Sequence, residues 1–303
     1  MTTRRRSSSE PPHRPGPPRN KLTAYSNSRR QAFVTISVDD GHPCDLRTAE
    51  LLHKYGLSAT FYAPARNPEQ PVLSPSELRQ LSQQFELGGH TMNHVPLSSL
   101  STERVWQEIT EGKDWLENST GKPVRSFCYP MGKFGQRTAA LVKKAGFLGA
   151  RTCQLNRHDF PTDPFAWGVS TQAHSHSRMV QVRHALLERN FRGAFDFVLT
   201  YQAATDWETH FRHALHRVQT RGGVAHLYLH SWEVDDWQKL ESAFRSIPQE
   251  PGLRRVTNGE LFALWAAQRS TTEPQAGVVS EPTENSRPMP SRSLLQSDAE
   301  DGL

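Results

Sequence analysis

The chain has 303 residues, enough to bury a sizeable core as one long α/β domain or as two smaller ones. Its net charge of +5 belongs to its tails: residues 1–30 hold eight Lys or Arg against one Glu, residues 271–303 hold two Arg against six acids, and the body is left near +2. This speaks against a basic nucleic-acid-binding face on the fold, and no apolar run has membrane-spanning length.

The first thirty residues are rich in Arg, Ser and Pro and carry no apolar stretch behind their charges, so a disordered tail is expected rather than a cleaved signal peptide. Three cysteines, Cys44, Cys128 and Cys153, form no C-x-x-C pair. They predict neither a disulfide framework nor a cysteine-zinc site, and the plain expectation is a reduced, cytoplasmic protein.

In chain order, "AFVTISV" reads as a strand, and "DLRTAELLHKYG" as a helix with Asp45 as its N-cap and Gly56 just past its end. "SATFYAP" is the next strand. "SPSELRQLSQQ" opens with Ser74, Pro75 and Glu77, the pattern of a capping box. "FELGGH" is a third strand, with Gly88 and Gly89 expected to let the chain turn away at once. A long helix ends at Gly121, "RSFCYP" is a fourth strand, a helix follows Gln136, and "FLGART" is a fifth strand.

From Cys153 to about Ser177 the pattern reads as an extended loop. Helical periodicity returns at "SRMVQVRHALLERN" and "WETHFRHALHRVQTRGG". Then come the strand "VAHLYLH", the helix "DDWQKLESAF", the short strand "RRVT" and the final helix "GELFALWAAQ". Such alternation predicts a parallel sheet with crossover helices, open or closed into a barrel, with function at the carboxyl ends of its strands. The domain is assigned to 31–268, between a basic N-terminal tail (1–30) and a disordered C-terminal tail (269–303).

Polar clusters sit at those strand ends. Asp39 and Asp40 follow the first strand, His90 and His94 the third, and His230 ends a late one. Histidine and carboxylate converging on one rim suit a transition metal, zinc above all, and two His with one carboxylate leave a position open for water. Other histidines read differently: His210, His213 and His216 as a solvated helix face, His174 and His176 as loop surface, His42 as a rim residue.

The order of these motifs resembles the polysaccharide deacetylase, or NodB-homology, family, also called carbohydrate esterase family four. The family's Thr-Phe-Asp-Asp-Gly corresponds to Ser37-Val38-Asp39-Asp40-Gly41, and its His-Ser/Thr-x-x-His to His90-Thr91-Met92-Asn93-His94. Its Arg-x-Pro-Tyr-Gly is matched partly by Cys128-Tyr129-Pro130-Met131-Gly132, and its Leu-x-His by the stretch ending Leu229-His230. The resemblance covers roughly residues 31–265.

It implies a distorted, TIM-like (β/α) barrel of about seven strands. It also implies a metal-dependent hydrolase that removes an acetyl group from an N-acetylated sugar or related amide. Asp40, His90 and His94 would ligate Zn2+, or another divalent metal such as Co2+; metal-bound water would be the nucleophile, Asp39 the general base and His230 the general acid. Tyr129, Pro130, Gly132 and Trp232 would bind substrate or the oxyanion, with a backbone N–H near Tyr129 as donor. The family's third-motif Arg is Cys128 here, so Arg125 and Arg151 are candidates for the missing guanidinium. Asp163 with Trp167, or Asp235, are candidates for the acid that tunes His230. The expected partner is an N-acetylated carbohydrate or small amide, without stable nucleic-acid binding. Small-amide hydrolysis on the same fold and a catalytically silent ligand-binding member are the alternative readings.

Overall fold

The structure, a computed structural model, describes residues 31–175, 177, 179, 183, 190–200 and 205–270. Both tails, and most of the helix expected at 177–190, lie outside the described residues.

All eight residues of β1 (Ala32–Asp39) are buried. It is central, paired in parallel with β2 (Thr60–Ala63), β7 (Gly223–His230) and β8 (Leu253–Arg255), which is why it reads as a continuous apolar run rather than an alternation. β3 (Glu86–Gly89), β4 (Ser126–Cys128) and β5 (Gly149–Arg151) extend one side, and the short β6 (Thr171–Gln172) flanks β7 on the other. The path runs β5-β4-β3-β2-β1-β7-β6 with β8 on β1, every described pair parallel: a distorted (β/α) barrel. Residues 152–170 cross from β5 to β6 in an irregular path, tied by Thr152 N–H to the Trp167 carbonyl (2.7 Å) and Arg157 N–H to the Val169 carbonyl (2.9 Å).

Among the described residues the helices are α1 (Asp45–Lys54), α2 (Pro75–Leu81), α3 (Thr102–Thr120), α4 (Gln136–Lys144), α5 (Phe191–Phe195), α6 (Trp207–Arg221), α7 (Trp237–Ser246) and α8 (Asn258–Ser270). The capping box of α2 is present, and α3 ends on Gly121 in the left-handed conformation that favours glycine. α5 runs directly into a π-helical turn, Asp196–Thr200. No helix among the described residues is long and apolar enough to cross a membrane.

Four local expectations are corrected. The stretch read as one loop contains β6, whose two residues are too few to show periodicity. Cys44, not Asp45, occupies the N-cap of α1; Asp45 is its first residue, fully buried, and burial pushes its carboxyl well up despite Ser231 beside it. His210 is core, its Nδ1 3.1 Å from the Thr171 hydroxyl, because α6 buries that face against β6. Gly88 and Gly89 do not turn the chain. They lie inside β3, where a Cβ on Gly88 would stand 2.3 Å from the Tyr62 ring and one on Gly89 3.1 Å from Phe147.

Candidate active site

β1 ends at Asp39, and the next residue turns left-handed (Asp40, φ 79°; Gly41, φ 62°). That turn breaks the strand alternation and brings two neighbouring carboxylates to one mouth with different surroundings. A Cβ on Gly41 would lie 3.0 Å from the Ala63 Cβ, so glycine also allows the turn to pass close over β2.

Asp40 meets two histidines. Its Oδ1 lies 3.1 Å from His94 Nε2 and 3.5 Å from His90 Nε2, and the ligand atoms of the three lie within 4.8 Å of one another. All three residues are buried. Burial alone would raise the Asp40 carboxyl, but the close approach of His90 and His94 and the charge of His230 hold it well below the usual carboxylate range. Its other oxygen, Oδ2, accepts the Trp232 indole N–H at 3.0 Å.

The histidines come from a loop fixed by the buried Glu108 of α3. One Glu108 carboxylate oxygen accepts the Asn93 backbone N–H (3.0 Å), the other the Asn93 side-chain amide (2.9 Å), and the Glu108 carbonyl accepts the Met92 N–H (2.9 Å). Gly112, one turn further along α3, lets the helix approach so closely that a Cβ there would stand 2.6 Å from the Thr91 carbonyl carbon. Thr91 (φ 67°) and His94 (φ 50°) both take left-handed backbone so that His90 and His94 face the same point.

Whether these residues fit a metal follows from their protons. His90 Nδ1 lies 2.8 Å from the Cys128 carbonyl, which can only accept, so that nitrogen carries the hydrogen. In the neutral ring Nε2 is then a bare lone pair facing a carboxylate oxygen, and a second imidazole stands beside it. Such acceptors repel unless a cation lies among them, and Asp40 Oδ1 indeed has no hydrogen bond of acceptable geometry. Two imidazoles and one carboxylate are a donor set for zinc or a similar divalent metal. The residues fit.

Asp39 is held from the other side. Its Oδ2 pairs with the Arg151 guanidinium, with Cys128 Sγ at 3.8 Å and His230 Nε2 at 3.9 Å, while the buried Oδ1 has no hydrogen-bond partner. Arg151 is fully buried between the rings of Tyr62 (5.5 Å) and Tyr228 (4.7 Å). It stands directly opposite Cys128 in the β4–β5 register. Of the two arginines considered from sequence, Arg151 meets Asp39, and Arg125 is exposed at the far end of β4.

His230 ends β7 with Nε2 within 4.0 Å of both acids and Nδ1 2.8 Å from Glu233 Oε2. Burial would lower its pKa; the Glu233 hydrogen bond and the charges of Asp39 and Asp40 outweigh it and push it up to about 9. Glu233 is itself held by Gln172 Nε2 (3.1 Å), and Gln172 by the Tyr228 hydroxyl (2.7 Å). The sequence reading missed Glu233. The signal was available: three residues past His230, a single 3-10 turn (Ser231–Glu233) folds it back. Asp163 instead accepts the Phe165 N–H (2.9 Å), and Trp167 is in the core, so neither serves His230.

The remaining candidates divide. The Tyr129 N–H donates to the Arg151 carbonyl (3.2 Å), its hydroxyl to the Phe165 carbonyl (3.0 Å), and its buried ring stacks on Phe134. Tyr129 therefore offers neither an oxyanion donor nor a sugar-stacking face, and Pro130 is buried and lacks an N–H. Gly132 takes φ 64° and packs where a Cβ would stand 2.7 Å from the Cys153 Cβ; its N–H closes a turn onto the Tyr129 carbonyl (2.9 Å). Trp232, 38 % exposed, is the aromatic at the mouth. His42 is half-buried, its Nδ1 accepting the Cys44 N–H at 3.1 Å.

The family model described as Polysaccharide deacetylase matches residues 26–150. The chain is 29 % identical over 136 residues to the peptidoglycan-N-acetylglucosamine deacetylase of Bacillus cereus, covering 44 % of this chain and 61 % of that protein. It is 24 % identical over 123 residues to YxkH of Bacillus subtilis, a candidate polysaccharide deacetylase, covering 39 % and 44 %. The chain thus spans about half the length of these curated relatives. A candidate polysaccharide deacetylase from Mycobacterium smegmatis, solved as a crystal structure, shares the fold with a TM-score of 0.57 at 14 % identity, over 83 % of this chain and 95 % of that one.

Proposed function

We propose that the chain is a divergent member of the polysaccharide deacetylase family and a metal-dependent hydrolase removing an acetyl group from an N-acetylated sugar or related amide. Asp40, His90 and His94 would hold the metal, zinc or cobalt by donor type, and when bound it would acidify a water and polarise the acetyl carbonyl. One observation carries the reading: His230 Nε2 lies within 4.0 Å of both Asp39 and Asp40, the latter a member of the three-ligand cluster, and Asp39 keeps one oxygen, Oδ1, without a hydrogen-bond partner.

Asp39 acts as general base through Oδ1, which takes a proton from the attacking water. Arg151 occupies Oδ2 and leaves Oδ1 without a hydrogen-bond partner. His230 donates from Nε2 to the leaving amine, and Glu233 on Nδ1 fixes the tautomer and stabilises the protonated ring. Trp232 orients Asp40 through its indole N–H and presents its exposed edge to a sugar ring.

The test is metal content of the wild type and of His94→Ala, measured with acetate release from N-acetylglucosamine oligomers. About one metal ion per chain, absent in the variant, together with acetate release, is the expected result. A wild type that holds no metal after zinc or cobalt is supplied refutes the reading. Metal without acetate release moves the substrate to small amides.

A further inference from the structure

The turn that follows β7 carries two side chains of the mouth, and sheet pairing stops just before it. The β1–β7 register pairs His230 with Asp39 and ends there. Ser231–Glu233 is then a single 3-10 turn closed by one long bond, the Val234 N–H to the Ser231 carbonyl at 3.4 Å. Trp232 donates to Asp40 Oδ2 (3.0 Å), and Glu233 meets His230 Nδ1 (2.8 Å) and Gln172 of β6 (3.1 Å). Two of these three contacts are with the groups the turn itself orients. A support of that kind moves with what it holds unless a further anchor fixes it.

That anchor is α1, through Ser231. The Ser231 hydroxyl lies 2.8 Å from the Thr48 hydroxyl, and both residues are buried. Asp45, one turn earlier on α1, is also beside Ser231 and is fully buried. Neither of its oxygens has a hydrogen bond of acceptable geometry, a costly state for a carboxyl in the core. Burial, with the charges of Asp40 and Asp39 adding to it, pushes this group well up, and the neutral acid can donate as well as accept. Aliphatic side chains would fill the space without that cost, but apolar contact does not fix an angle as a hydrogen bond does. The base is firm: Ala49 and Leu52 are in the core, and the Arg47 guanidinium stands 4.1 Å from the Trp237 ring centre. The helix also starts on the loop that leaves Asp40, with the Asp45 N–H on the His42 carbonyl (2.8 Å). One helix thus touches both acid-bearing ends of the mouth.

We propose that Thr48 and Asp45 are positioning residues, which through Ser231 set the turn that brings Trp232 to Asp40 and Glu233 to His230. The inference rests on the proposed reaction only for the roles of Asp40 and His230.

The test is hydrogen exchange of the Trp232 indole N–H, followed by NMR in metal-free full-length protein, where that resonance is the one missing from W232F. T48V and S231A should each speed exchange roughly tenfold or more. T48V/S231A should be no faster than S231A alone, as two ends of one contact require. T48S should stay within about twofold of the wild type. D45L should follow T48V, and D45N, neutral and of the same shape, should follow the wild type. Thermal unfolding checks the fold, and S231A, which removes a single hydroxyl, carries the test if the α1 variants unfold. Unchanged exchange in S231A overturns the proposal, as do additive effects of T48V and S231A, or T48S behaving as T48V. D45N exchanging as fast as D45L overturns the assignment of Asp45. This readout needs neither metal nor turnover, so a wild type lacking both refutes the proposed reaction and leaves the exchange result standing. In an active wild type, T48V should lower kcat roughly tenfold with KM within about twofold, and an unchanged kcat also overturns the proposal.

Discussion

On one side of the mouth, β1 and β3 deliver Asp40, His90 and His94 through backbone forced left-handed at Asp40, Thr91 and His94. On the other, β5 and β7 deliver Arg151 and His230 from ordinary strand backbone, with Glu233 on a single turn. Left-handed non-glycine residues cost of order 1–3 kcal/mol each and persist only where their surroundings over-determine them, as Glu108 and Gly112 do here. The difference follows from what each side must do. On the proposed reading three ligand atoms would have to meet at one point, which admits few backbone paths. A positioning charge needs only to reach one oxygen, and a neighbouring strand can supply it.

The comparison breaks first at the ligands: His94→Ala should abolish both bound metal and acetate release, read by metal analysis and product assay. Asp39→Asn should keep the metal and lose about 10²–10⁴-fold in kcat. On the tolerant side, Arg151→Cys should lower kcat by roughly 10–100-fold with metal retained. It should also destabilise the fold by about 3–5 kcal/mol in denaturant titration, because Asp39 is left buried without its partner. Returning a guanidinium from the opposite residue, in Cys128→Arg/Arg151→Cys, should recover part of both; no recovery would mean that the strand of origin matters after all. Trp232→Phe should weaken metal affinity by about tenfold with little effect on folding.

The smallest expected effect is a pH slope. In metal-free protein His230 titrates near 9 in the fold, raised from 6.5. Its stabilising contribution is then fully present below about pH 6.5 and is lost as pH rises through about 9. Unfolding midpoints of metal-free wild type should fall across that window, and His230→Asn should remove the slope.

Legibility in the sequence divides along the same line. Asp39, Asp40, His90 and His94 stand out because each follows an apolar run that reads as a strand; those runs between helical patterns reveal a parallel sheet, open or closed, while the barrel is what the family resemblance implies. Arg151 could be named only as one of two candidates, since no local pattern reveals that it stands opposite Cys128 across a strand pair. β6 was invisible at two residues, and the burial of His210 depends on that strand. Gly88 and Gly89 were noticed for the wrong reason: a glycine's use for close approach depends on which ring arrives from the next strand, and Tyr62 and Phe147 arrive from elsewhere in the chain. The resemblance implies a backbone N–H near Tyr129 as oxyanion donor, and that the N–H of Tyr129 itself is taken by the Arg151 carbonyl is a tertiary fact no local pattern shows.

The Glu108 clamp has a consequence beyond geometry. The loop carrying both histidines is tied to α3 by bonds that involve no metal, so the cost of shaping the site falls on folding rather than on loading. A chelator should therefore empty the site and leave a protein with its core intact, competent to refill within the time of diffusion. On the proposed reading the ion would then be exchangeable cargo instead of a staple, and its occupancy would follow the free metal supply of the moment rather than the history of the chain's synthesis.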